Sequence, residues 1–147
     1  MAQTGEGRRK EINGTEYLID TNIFLEFLLQ QDREQESKKV MDEIQEGVHI
    51  AYATVFTLHS IEVILDGAGK RDILSDFLET IEHAKGLTIY PTSITEEREA
   101  LPYTDKFSLD FDDALQYYVA HTLHLTLISF DRDFDRTDVK RIVPVDL

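Results

Sequence analysis

The sequence predicts an α/β domain built on parallel strands, and three observations lead there. Short apolar runs of strand length recur along the chain, segments with apolar residues at helical spacing separate them, and no internal repeat or low-complexity tract breaks the alternation. Strands joined through helices imply βαβ units with right-handed crossovers. At 147 residues the chain has the size of one domain, and a chain of that length buries roughly 68 to 70% of its unfolded surface.

The elements follow in order. Residues 1–15 hold Gly5, Gly7 and Gly14, few apolar groups and mixed charge, and read as a mobile arm before a domain spanning 16–147. Tyr17, Leu18 and Ile19 form a buried strand ending on Asp20, and Ile23, Phe24, Phe27 and Leu28 then take helical spacing. Asp20 therefore stands at a strand-to-helix switch, where Thr21 or Asn22 can cap the helix. A second helix covers 35–45 and stops at Gly47, a second strand covers 49–53, and Thr54 opens a helix to about Leu65 that the Gly67-Ala68-Gly69 turn ends. Residues 70–85 make the next helix, ending at Gly86, and 87–90 a third strand closed by Pro91. A short helix beginning near Ser93 or Thr95 stops before Pro102, one long helix runs 107–124, and strands at 125–130 and 141–145 complete the set.

Composition excludes several classes. With no cysteine there is neither a disulfide framework nor a zinc-thiolate site, and nothing points to an oxidising compartment. The apolar runs are interrupted by Glu26, His59 and Glu62, well short of the ~20 residues that cross a bilayer. Arg8, Arg9 and Lys10 have no apolar segment behind them, so the start of the chain is not a secretory signal, and a cytoplasmic protein without membrane contact is expected. No phosphate-cradling glycine loop, nucleophile elbow or His-Glu-x-x-His pattern occurs. His121 and His124 share a helix face but have no third ligand near in sequence, and Tyr117 and Tyr118 read as packing groups. The net charge of −14 argues against a nucleic-acid binder, because affinity for phosphate backbones comes from Lys and Arg. Part of the excess is a solvated helix face between Gln31 and Glu46.

Four short acidic motifs change that conclusion: Leu18-Ile19-Asp20-Thr21-Asn22, Ser60-Ile61-Glu62, the run 109–115 with Asp110, Asp112 and Asp113, and the run 129–134 with Ser129, Asp131 and Asp133. In open parallel sheets ligands bind outside the carboxyl ends of the strands. Asp20 ends strand one, and Asp131 and Asp133 follow strand four, so the acids converge if those strands are neighbours. Asp110 and Asp113 share a helix face, and Asp112 points roughly 100° away from Asp113. Glu62 lies among Leu58, Ile61, Val63, Ile64 and Leu65, where an isolated carboxylate calls for compensation. A pair of carboxylates 4 Å apart repels by about 4 kcal/mol at an effective dielectric near 20, so such a cluster calls for a cation. All-oxygen donors select Mg²⁺, with Mn²⁺ as the alternative. Dications so held can activate water and stabilise the leaving oxygen in phosphodiester cleavage, and a substrate phosphate then meets metal charge in place of bare acids.

These motifs resemble those of the PIN-domain nucleases, especially the VapC-type toxins of prokaryotic toxin–antitoxin pairs and related archaeal PIN proteins. Leu18 to Asn22 is similar to the family's opening motif, Ser60-Ile61-Glu62 to its second, Asp113-Ala114-Leu115 to its third, and Ser129 to Phe134 to its fourth, with Ser129 where Thr is usual. The resemblance extends from Tyr17 to Val145. It implies a three-layer fold with a parallel five-stranded sheet of order 3-2-1-4-5 flanked by helices, and magnesium-dependent endoribonuclease activity. By the same resemblance Asp20, Glu62, Asp113 and Asp131 form the catalytic and metal-binding quartet, Asn22 and Ser129 are polar supports, and Asp110 and Asp133 are auxiliary acids. A homodimer and an antitoxin partner are implied as well.

Three other readings remain at this point. A receiver-like phosphoacceptor needs an acidic pair just after strand one and a Lys after the last strand, whereas Lys140 and Arg141 stand before strand five. A phosphatase of the haloacid-dehalogenase type needs Asp-x-Asp after strand one, and position 22 is Asn. A non-catalytic PIN scaffold acting through protein contacts would bind no Mg²⁺ or Mn²⁺.

Overall fold

The computed structural model describes residues 14–147. Residues 1–13 of the arm expected from the sequence lie outside the described residues. The elements are β1 (Tyr17–Ile19), α1 (Thr21–Leu28), α2 (Glu34–Glu46), β2 (Ala51–Thr54), α3 (Val55–Gly67), α4 (Arg71–His83), β3 (Leu87–Tyr90), α5 (Ile94–Ala100), α6 (Pro102–Phe107), α7 (Phe111–Leu123), β4 (Thr126–Ile128) and β5 (Arg141–Ile142). One 3₁₀ turn, Arg132–Arg136, lies between β4 and β5, and another, Pro144–Asp146, follows β5.

All strand pairings are parallel, and the order is β3-β2-β1-β4-β5, as the family resemblance implies. β1 is central, with Leu18 opposite Tyr52 on one side and Leu127 on the other. Successive strand residues face opposite sides of a sheet, and the core divides accordingly. Ile19 and Ile128 pack with Ile23, Phe24, Val40, Ile44, Ile61, Leu65 and Phe77, the apolar faces of α1 to α4. Leu18 and Leu127 pack with Val119, Ala120 and Phe134, the α7 side. Helices thus cover both faces of the sheet, which leaves the strands' carboxyl ends as the edge where polar side chains can gather.

Gly86 allows a close crossing. Its N–H donates to Ile44 O at 2.9 Å and its carbonyl accepts from Ala51 N at 2.7 Å, and a Cβ there would lie 2.2 Å from His49 O. Only glycine lets the α4–β3 link lie against the turn before β2.

Two sequence expectations change. The single helix expected over 107–124 is broken: Ser108 takes a left-handed conformation (φ 55°) and ends α6, and Asp110 caps a new helix by accepting from Asp113 N at 2.8 Å. The short helix expected to stop before Pro102 does so, ending at Ala100, and Pro102 then starts α6, because the first helical position needs no N–H. The strand expected over 141–145 is cut to two residues, since Pro144 has no N–H for the ladder and opens the last 3₁₀ turn. Among the described residues no helix is long and apolar enough to cross a membrane.

Candidate metal centre

Asp20 sits where β1 leaves the sheet. Its N–H donates to Ile128 O at 3.0 Å, continuing the β1–β4 ladder by one residue, and its side chain makes no cap to α1. The carboxylate turns inward instead, and the residue is 4% exposed. Oδ1 accepts from Gln116 Nε2 at 2.8 Å and Oδ2 from Ser129 Oγ at 2.5 Å. Burial raises the Asp20 pKa above its ordinary value, while the bonds from Ser129, Gln116 and the Thr21 backbone pull it down and the nearby Asp131 charge pushes it up.

The end of β4 supplies the second part. Besides donating to Asp20, the Ser129 hydroxyl accepts from Asp131 N at 2.9 Å and from Asn22 Nδ2 at 3.5 Å, and Asn22 Oδ1 accepts from Phe130 N at 3.4 Å. Asn22 and Ser129 therefore tie the start of α1 to the end of β4. Asp131 Oδ1 accepts from Asp133 N at 2.8 Å, which caps the 3₁₀ turn, and buried Phe134 anchors that turn in the α7-side core. Asp133 is shared: Arg136 Nη2 donates to its Oδ1 at 2.9 Å, and Arg136 Nη1 reaches Ser108 O at 2.7 Å.

The first turn of α7 supplies the third part. Asp113, Asp131 and Asp133 each offer a carboxylate oxygen within 4.8 Å of the others. The Asp113 pKa is pushed up to about 8, by burial first and then by the charges of Asp110, Asp20, Asp131 and Asp112. Every charge acting on it is negative. Asp112 is pushed up to about 6 by burial and by Asp20 and Asp110. The sequence set Asp112 apart from Asp113, yet α7 begins against the end of β1, and its first turn brings both acids within electrostatic reach of Asp20. Asp110 serves as the helix cap, and its charge acts on Asp113.

Glu62 is not brought to the other three members of the expected quartet. Thr57 Oγ1 lies 2.9 Å from Thr21 Oγ1 beside Asp20, and the Phe56 ring meets Phe111 of α7 at 6.0 Å, so these two residues mark the side of α3 turned to the acids. Glu62 is five and six positions further on, about 140° and 120° round the helix from them. Its carboxylate pairs with His59 Nδ1 at 2.8 Å, and it is absent from the charges acting on Asp20 or Asp113. The apolar neighbours that suggested a buried Glu62 are divided: Ile61 and Leu65 are buried, Val63 and Ile64 exposed. The side chain that α3 does turn toward the acids is half-buried Ser60, within about 60° of both Thr57 and Phe56.

Sequence reasoning also missed Gln116. It is wholly buried on α7 and holds Asp20 across 96 residues of sequence. A buried Gln three residues after Asp113 and four after Asp112, on an otherwise apolar helix face, was the available signal.

The donor set fits a hard divalent cation. Asp113, Asp131 and Asp133 lie within ligand distance of one another, Asp20 is within electrostatic reach of Asp113, and all four present oxygen only, which suits Mg²⁺ or Mn²⁺. The Asp20 and Asp113 pKa values are raised by burial first and by neighbouring carboxylates after it, and among the described residues Asp112 Oδ1 is buried without a hydrogen-bond partner. A cation beside these groups would relieve both.

The sequence matches the family model described as PIN domain over residues 17–140. Among solved structures, VapC20 of Mycobacterium tuberculosis, a sarcin–ricin loop cleaving toxin, aligns with TM-score 0.70 and 16% identity over 87% of this chain and 99% of its own. FitAcB of Neisseria gonorrhoeae aligns with TM-score 0.66 and 21% identity over 89% and 99%. A toxin–antitoxin complex of Klebsiella pneumoniae gives 0.64 and 20% over 87% and 97%. At these identities the likeness is one of fold. No curated protein matches the chain.

Proposed function

The chain belongs to the PIN domain family, matched over residues 17–140, and from that premise we propose that it is a divalent-metal-dependent endoribonuclease, the toxin of a toxin–antitoxin pair. The observation that carries this reading is the convergence of Asp20, Asp113 and Asp131 from β1, α7 and the end of β4, with the carboxyl pKa values of Asp20 and Asp113 raised. These three acids would hold Mg²⁺, or Mn²⁺ in its place, with Asp133 within ligand distance of Asp113 and Asp131. When bound, the ion would supply charge for the scissile phosphate and lower the pKa of water.

The remaining work belongs to the protein's own groups. Ser129 and Gln116 fix both oxygens of Asp20, so its carboxylate is oriented before any ligand arrives. Asn22 keeps α1 registered on β4. Asp133, half engaged by Arg136, and Asp110, engaged as a cap, act as auxiliary acids. Glu62 lies outside this set. The toxin role rests on the toxins and toxin–antitoxin complexes among the structural neighbours; it brings an antitoxin partner, a homodimer and a cytoplasmic setting with it.

The test is cleavage of a labelled oligoribonucleotide by the purified full chain with Mg²⁺, with Mn²⁺, and with chelator. Cleavage is expected only with divalent metal and is lost in Asp20→Asn. Equal cleavage by Asp20→Asn, or no Mg²⁺ or Mn²⁺ binding in a calorimetric titration, would overturn the reading, the second result in favour of a non-catalytic scaffold.

A further inference from the structure

Three of the six arginines among the described residues meet in one place. Arg33, Arg132 and Arg141 line a cavity of about 400 Å³ together with Phe130, Glu36 and Val143. The three come from the turn before α2, the 3₁₀ turn after β4, and β5. In a chain of net charge −14, this cavity gathers three guanidinium groups against one lining carboxylate.

The three arginines are held differently. Arg141 is the fixed wall: Nε and Nη2 bond Asp135 at 2.9 and 3.1 Å, and Nη1 donates to Ser129 O at 2.9 Å. The Arg33 guanidinium carbon sits over the Phe130 ring, 4.5 Å from its centroid, a contact that holds the cation while leaving N–H donors available. Among the described residues, neither the Arg33 nor the Arg132 guanidinium is engaged in an ion pair or hydrogen bond, although the Arg132 charge acts on Asp135. Two cations with unused donors, beside an Arg141 whose own charge is paired with Asp135, offer donors suited to a phosphodiester oxygen pair.

Position links the cavity to the acidic centre. Phe130, the residue under Arg33, immediately precedes Asp131, and Ser129 uses its carbonyl for Arg141 and its hydroxyl for Asp20. Asp131 is close enough for its charge to act on Arg141. We propose that the Arg33–Arg132–Arg141 cavity binds a backbone phosphate of the RNA strand beside the one held at the acids, and so sets the strand's path across the centre. The proposal takes the identity of the strand from the ribonuclease reading. It also explains how so acidic a chain holds a polyanion: attraction is local, from this cavity and the cation at the acids.

The experiment measures binding, so that it does not depend on turnover. A fluorescent single-stranded oligoribonucleotide is titrated with the full chain carrying Asp20→Asn, and with the same chain also carrying Arg33→Gln, Arg132→Gln or Arg33→Lys, over a range of salt. Each Gln variant is expected to bind several-fold more weakly at low salt, and its plot of log affinity against log salt should be shallower by about 0.7 for each phosphate no longer neutralised. Arg33→Lys keeps the charge and should keep the slope, which separates the removal of a cation from damage to the fold. Unchanged affinity and slope in both Gln variants would overturn the proposal. An equal weakening toward an analogue with an uncharged backbone would overturn it too, since the arginines would then not be reading phosphate. If the wild-type chain cleaves RNA and the Gln variants bind like the parent, only this inference falls. If the wild-type chain does not cleave and the Gln variants lose affinity and slope, the inference stands and the activity reading falls.

Discussion

The Ser129 hydroxyl donates to Oδ2 of Asp20 at 2.5 Å across 109 residues of sequence, and both residues are buried. With Gln116 on Oδ1, neither oxygen of this acid is left to find its own orientation. Ser129→Ala and Gln116→Leu are each expected to weaken Mn²⁺ binding by about 10- to 100-fold, the usual cost of removing a group that orients a metal ligand. Ser129→Thr keeps the hydroxyl and should bind like the parent. Isothermal titration calorimetry reads all three, and wild-type affinity in both Ser129→Ala and Gln116→Leu would contradict the assigned role.

Asp131 and Glu62 should separate in activity. Asp131→Asn removes one of the converging acids and is expected to slow RNA cleavage by about 100-fold or more, the scale of losing one preorganised electrostatic group. Glu62→Gln, on the side of α3 turned away from the acids and paired with His59, should leave the rate close to the parent's. Initial rates on one labelled substrate decide this, and a comparable collapse in Glu62→Gln would restore Glu62 to the centre.

Stability should depend on pH in a direction set by Asp113. Its carboxyl is raised from the usual 3.8 to about 8 in the folded chain, so between those values the folded state binds more protons than the unfolded one. Stability in chelator is therefore greatest on the acid side of this window and declines as pH climbs toward 8. Mg²⁺ competes with those protons, so the rise in melting temperature it produces should be larger at pH 8 than near pH 5.5. Asp113→Asn should flatten the metal-free dependence. Thermal melts at several pH values, with and without Mg²⁺, give the answer, and an equal Mg²⁺ effect across the range would count against a metal held by these acids.

Gly86→Ala tests the packing beneath the site. The added methyl carbon would stand 2.2 Å from His49 O and 3.0 Å from Ile44 O, both backbone atoms. Relief requires the turn before β2 to shift, and a cost of about 1 to 3 kcal/mol is expected, as for other overpacked positions. Urea unfolding reads it as a lower midpoint, and an unchanged midpoint would show that this crossing gives way without strain.

Local pattern carried most of the fold. Tyr17 to Ile19 ending on Asp20, and the apolar spacing of Ile73, Phe77 and Ile81, state their elements within a few residues, and the sheet order followed from the family likeness. What the pattern could not show was geometry settled by one or two atoms. The break at Ser108 depends on a left-handed residue and on Asp110 capping Asp113 N. Placing Glu62 required knowing which side of α3 faces Thr21 and Phe111, and neighbouring residue types do not record that. Gln116 was overlooked because its partner Asp20 is 96 residues away. The arginine cavity draws on two turns and a strand far apart in sequence, so composition averaged its charge into an acidic total.

The pairing of β1 with β4 has a consequence for the newborn chain. Since one side of the central strand closes against a strand that ends at Ile128, a ribosome must pass Asp131 before the third acid exists at all. Polypeptides interrupted earlier, or clipped before that strand, would carry Asp20 and Asp113 but no assembled centre. Synthesis past β4 is thus the step that lets the acids from β1, α7 and the end of β4 meet.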